Sequence, residues 1–230
     1  RDVKPNFLKT DTDGFDFSVL EGAKRILSSA ELIGVEVECL FHGDPSNPRA
    51  STFSNIDTFL RSLGFILYRL EPYTYSREAL PSAFVYDIGA QTVHGTVQWA
   101  DAVYFRDPFL SPDFRAALDA SPHLRSKYLV ALDVLGFRDV FAQALTELPR
   151  DYFPGVDVDG ELNRLAKGNP VGAESYSELV DVFDRDFRNF FPSRSTQTIP
   201  PAGRLGQEIN VRQIIRFLRK LISYPRIRRR

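Results

Sequence analysis

The sequence predicts an α/β fold, a largely parallel sheet in its first half followed by an α-helical extension, and three observations carry that expectation. Short apolar runs alternate with helix-period segments from residue 6 to about residue 70, in the order strand, helix, strand, helix, strand. Strand-like runs then follow closely at about 83–88 and 96–105, which adds an antiparallel edge to the sheet. After Pro108 the strand patterns stop and helical spacing takes over. The expected division is therefore 1–109 for the sheet and 110–230 for a helical extension of no assigned role.

Residues 6–10 form the first expected strand. The segment 15–29 has Phe15, Val19, Leu20, Ala23, Ile26 and Leu27 at helical spacing, with Asp13 available to cap its first turn. The run from Leu32 to Leu40 reads as a second strand in which Glu36 and Glu38 alternate with apolar residues, so both carboxylates share one face. Phe41 to Pro48 is a loop by every local signal. Ser54 and Asp57 have capping-box spacing, ahead of a helix carrying Ile56, Phe59, Leu60 and Leu63 that stops at Gly64. Phe65 to Leu70 is the third strand. In the extension, helices are expected at 113–120, 123–148 and 174–191, with a turn-rich stretch from Pro149 to Gly172 between the last two, and an amphipathic helix at 208–223.

The chain has 230 residues, enough to bury a substantial core, and its net charge of -1 argues against a whole-domain nucleic-acid binder. Its one cysteine, Cys39, cannot form an intrachain disulfide, which fits a reducing, cytoplasmic compartment. No apolar run approaches the roughly 18–20 residues of a membrane span. Methionine is absent throughout and residue 1 is an arginine, so the sequence reads as a fragment.

The stretch Asn6 to Asp16 concentrates the chemistry. An apolar strand ends there in Asp11, Thr12, Asp13 and Gly14 and turns directly into a helix, which places the acids at the strand's C-terminal end, where open α/β sheets bind ligands. Read from Phe7 to Ala23, this string resembles the signature of the FkbM family of S-adenosylmethionine-dependent methyltransferases. Lys9, Asp11, Gly14, Val19, Leu20, Gly22 and Ala23 match in register, and Asp13 and Asp16 stand where that family usually has glutamates. The acidic strand at 32–40, the helix before Gly64 and the closing run from Gly95 to Phe105 follow in the family's order, so the resemblance covers about residues 4–107.

The resemblance implies a class I, Rossmann-like methyltransferase sheet of seven strands, with this motif on the fourth. The chain would then be the second half of that sheet, with the glycine-rich cofactor loop and the acidic ribose contact upstream of Arg1, and would be inactive alone. A string from Val85 to Gln91 is similar to the family's cofactor loop, but its last glycine would fall at Val93 and no helix pattern follows it. The implied reaction takes a methyl group from S-adenosylmethionine to a hydroxyl of a small molecule, a sugar or other glycan among the candidates.

Methyl transfer to oxygen needs an acceptor held in line and a base for its proton. Asp11 and Asp13 are placed for both tasks, with Asp11 also toward the cofactor. Lys9, Gly14, Glu36 and Glu38 would line the acceptor. His42, in the loop after the second strand, is of the residue type that titrates near neutrality and is the third catalytic candidate. No metal ligand set is assigned, since the acidic turn lacks the third ligand and glycine position of a calcium loop.

Two other readings share these residues. Asp-x-Asp-Gly at a strand end is also similar to the nucleophile motif of haloacid-dehalogenase-type phosphatases, though the later magnesium-binding acids have no convincing match. A non-catalytic interaction module derived from a methyltransferase half is the other. From Val211 to Arg230 there are eight basic residues and no acid, a composition suited to an acidic partner or an anionic membrane surface.

Overall fold

The computed structural model describes residues 4–44, 46–78 and 90–191. The expected strand at 83–88, most of the cofactor-loop-like string and the basic helix at 208–223 lie outside the described residues. The chain divides into two units, 1–167 and 168–230.

The first unit is a mixed α/β structure, compatible with a Rossmann-like methyltransferase fold. Its sheet has strands β1 (Phe7–Thr10), β2 (Gly34–Leu40), β3 (Ile66–Tyr75) and β4 (Thr96–Phe105) in the order β1-β2-β4-β3. β1 and β2 are parallel, whereas β4 is antiparallel to both β2 and β3. β3 runs five residues beyond the expected Leu70, because Glu71 to Tyr75 continue to pair with β4. Between β1 and β2 lie α1 (Asp16–Gly22) and α2 (Lys24–Leu27), and between β2 and β3 lies α3 (Phe53–Ser62).

The single helix expected over 15–29 is broken at Gly22 and Ala23, where glycine weakens the helix interior and Ala23 caps both pieces. Asp13 does not cap it. Phe15 is the N-cap residue without a side-chain bond, because Asp13 (φ 51°) and Gly14 (φ 96°) take left-handed conformations that carry the chain round the turn. The start of α3 also differs from expectation. Thr52, not Ser54, accepts the capping bond from the Asn55 N–H, and Asp57 instead pairs with Arg61 one turn on.

Strand alternation sorts the sheet into two faces. Val35, Val37 and Cys39 of β2 and Ala100, Ala102 and Tyr104 of β4 point to one side and pack with Phe17, Leu20, Leu27, Ile56, Leu60 and Phe65 beneath α1, α2 and α3. The opposite face carries Phe7, Gly34 and Phe105 at one end and the charged residues of β1, β2 and β4 at the other. Over its apolar end, Phe105 packs against Tyr68 and Phe137.

Helices α4 (Pro112–Ala120), α5 (Pro122–Val134), α6 (Arg138–Glu147) and α7 (Val158–Ala166) complete the unit. Ser111 and Ser121 cap α4 and α5, each followed by a proline at the first helical position, where the missing N–H is harmless. Gly136 (φ 79°) ends α5 and splits the helix expected over 123–148. α7 interrupts the expected turn-rich stretch; Asp157 caps it, and Val158, Leu162 and Ala166 are its buried stripe. In the second unit, Ser175 caps α8 (Tyr176–Asp186), after which the chain tightens into a 3₁₀ turn at Phe187–Phe190 rather than continuing to 191 as an α-helix.

Two outcomes follow from this packing. A Cβ at Gly34 would lie 2.8 Å from the Phe7 ring and 2.9 Å from the Tyr104 carbonyl oxygen, so Gly34→Ala lowers stability by about 1–3 kcal/mol, read by urea denaturation. Burial pushes the Cys39 thiol up to about 12. A thiol-reactive disulfide reagent therefore leaves Cys39 unmodified in the folded chain and titrates it in denaturant.

Candidate functional site

The C-terminal ends of the parallel pair β1 and β2 carry the acidic turn and the loop after β2. Thr10, the last residue of β1, donates its hydroxyl to Asp16 Oδ1 at 2.8 Å, and Asp16 is fully buried at the start of α1. Ser51 ties the two loops together. Its hydroxyl donates to the Gly14 carbonyl at 2.6 Å and accepts the Phe17 N–H at 3.1 Å. The turn 11–15 is thus fixed at its base on both sides, while Asp11 and Asp13 remain exposed.

Asp11, Asp13 and Glu38 converge, one carboxylate oxygen of each lying within 4.8 Å of the others. Glu36 and Lys9 are register partners across the parallel pair and form an ion pair at 2.7 Å, so they neutralise each other beside this cluster. Gly14 contributes a carbonyl, held by Ser51, rather than a side chain. His42 stands outside the carboxylate trio. Its Nδ1 is 3.2 Å from the Gln98 carbonyl, and it lines a cavity of about 320 Å³ with Phe41, Thr52, Phe53 and Asn55. Phe41 and Phe53 stack at 5.5 Å there and offer an apolar wall.

Asp101 was not among the expected site residues. It is the register partner of Glu38 on β4 and accepts a hydrogen bond from Tyr73 at 3.3 Å. Tyr73 in turn stacks on Trp99 with ring centroids 3.8 Å apart. The alternation Trp99, Asp101, Val103 held the signal that these three share a face, but only the pairing of β4 with β2 says that the face is that of Glu38.

Electrostatics mark the cluster as strained. Desolvation raises the Glu38 carboxyl above its ordinary range, and the like charges of Asp11, Asp16, Asp13 and Asp101 push it further. Desolvation also raises Asp101, against the hydrogen bond from Tyr73. Lys9 is raised by its bond to Glu36. Glu38 Oε2 and Asp16 Oδ2 are buried without a hydrogen-bond partner.

A raised carboxyl has a definite sign in stability. The folded chain holds the Glu38 proton more tightly than the unfolded chain, so this residue costs nothing below the ordinary value of 4.5 and destabilises increasingly as pH rises through the folded value. Glu38→Gln therefore matches the parent chain at pH 4 and melts at a higher temperature at pH 7, as thermal unfolding across that range will show.

No curated protein and no solved structure shows a significant match to this chain. Residues 1–67 match the methyltransferase FkbM domain model. The matched segment runs from the start of the chain through β1, the acidic turn, β2 and α3 to the first residues of β3. It thus contains all three converging carboxylates, and it is this segment that is similar to the methyltransferase FkbM domain.

Proposed function

We propose that the protein is an S-adenosylmethionine-dependent methyltransferase acting on a hydroxyl of a sugar or other small molecule. One observation carries this reading: the family-matched segment brings Asp11, Asp13 and Glu38 together at the C-terminal end of a parallel strand pair. The donor supplies an electrophilic methyl group on a cationic sulfur, and surplus negative charge at this strand end fits a cation, with Asp11 toward the donor. Asp11 and Asp13 orient the acceptor hydroxyl. Glu38, whose carboxyl is raised by desolvation and by the neighbouring acids, suits the acceptor's proton, while His42 serves from the adjoining cavity.

In this reading the carboxylate cluster meets the sulfonium end of the donor, and the nucleoside lies beyond it. Its contacts then come from strands that add to the outer side of β1, which pairs only with β2 among the described residues. A doubly wound sheet joins its two halves at such a strand. The same open edge supports the second reading, a methyltransferase half turned into a binding module. The helices after Pro108 have no role in the chemistry proposed.

Calorimetric titration of the intact protein with S-adenosylmethionine separates the two. Saturable binding is expected, weakened roughly 10- to 100-fold in Asp11→Ala by loss of a charged contact. Absence of any binding by the intact protein overturns the methyltransferase reading in favour of the module.

A further inference from the structure

Helix α8 carries an apolar stripe that nothing among the described residues covers. None of its residues is buried, and it packs chiefly on the 3₁₀ turn that follows it. Val180, Phe183, Phe187 and Phe191 are 38, 53, 49 and 61% exposed. Phe183, Phe187, Phe190 and Phe191 form a ladder of rings whose neighbouring centroids lie 5.4 to 6.5 Å apart. Single exposed apolar side chains are ordinary, but several large ones in one strip mark a docking surface. A helix of 11 residues is also too short to hold itself in water, so its stability has to come from burying that stripe against something. The charge beside the stripe is negative: from Glu174 to Asp186 there are five acids and one base. Arg188 is committed to Asp186 at 2.6 Å, and Arg185 donates to the Asp181 carbonyl oxygen at 3.1 Å. Asp181 and Asp184 are exposed and form no ion pair among the described residues. Asp184 borders the stripe, three residues before Phe187.

We propose that residues 208–223 of the same chain dock on this face of α8 as an amphipathic helix. They lie outside the described residues; in sequence, Val211, Ile214, Ile215, Leu218, Leu221 and Ile222 recur at helical spacing and supply an apolar stripe to meet that of α8. From Val211 to Arg230 there are eight bases and no acid, the complement of the charge on α8. Arg212 and Arg219 stand three and four residues from Ile215, so they border their stripe as Asp184 borders its own. Reach is no obstacle. The 16 residues 192–207 extend to about 50 Å, whereas α8 is only about 17 Å long. Two short helices, each marginal alone, then bury both stripes in one contact with unlike charges at its rim. The α8 of a second copy is a poorer occupant because acid would face acid, and an anionic lipid surface would be repelled by the same acids. The docking uses none of the strand-end residues and stands apart from the methyl-transfer reading.

The test is hydrogen–deuterium exchange of the full chain, read by mass spectrometry on peptides from α8 and from 208–223. Amides of 211–222 are expected to exchange at least about tenfold more slowly than in an unstructured chain. Leu218→Asp, a change outside α8, is expected to speed exchange in α8 as well as in its own segment, and Phe183→Ser to speed exchange in 208–223. Asp184→Arg loosens both segments. Adding Arg212→Asp and Arg219→Asp to Asp184→Arg restores protection, which general destabilisation would not do. Exchange of 211–222 at unstructured rates, or exchange in α8 indifferent to Leu218→Asp, overturns the proposal. Protection that disappears on about tenfold dilution also overturns it, by assigning the occupant to a second copy. Protection that appears only with phosphatidylserine vesicles overturns it in favour of a membrane surface.

Discussion

The pairing of β2 between β1 and β4 is the constraint on which the rest depends. Side chains alternate along a strand, so the register that buries Val35, Val37 and Cys39 also turns Glu36 and Glu38 to the other face. There Lys9 meets Glu36 and Asp101 meets Glu38. A slip of one residue would place two carboxylates in the core and strip the strand end of its acids. The close approach of Phe7 and Phe105 over Gly34 resists that slip, since a side chain at any other β2 position would collide there.

The open face divides its charges unequally. One acid, Glu36, has a basic partner at hydrogen-bond distance, and this pair stabilises little because Lys9 is largely exposed. The others are grouped with their own kind, and the fold tolerates a desolvated Glu38 opposite a desolvated Asp101. Natural folds accept such local cost where a site needs charge more than the fold needs stability. On the dry face Tyr104 is tied to Asp57 at 3.2 Å, while the buried Asp16 is bonded through Oδ1 alone.

Much of this was legible in the sequence, where periodicity and local chemistry agree. The alternation of Glu36 and Glu38 with apolar residues gave the face of each acid, and the abrupt passage from strand to helix placed Asp11 and Asp13 at the strand end. What escaped depends on contacts far apart in sequence. Asp101 joins the site only through β4 pairing, 63 positions from Glu38. Asp16 stands out in the sequence only as a motif position; its burial and its bond with Thr10 come from the fold. The helix breaks at Ala23 and Gly136 and the added α7 were hidden for a different reason: a single glycine is compatible with helix or stop, and tertiary packing decides.

Ser51 gives the strand end a mechanical property. One hydroxyl bonds the carbonyl of Gly14 and the N–H of Phe17, reaching from the loop after β2 to the turn after β1. One side chain thus joins the segment between the Phe41–Phe53 wall's two rings to the turn that carries Asp11 and Asp13, so replacing Ser51 would free both parts of the strand end at once.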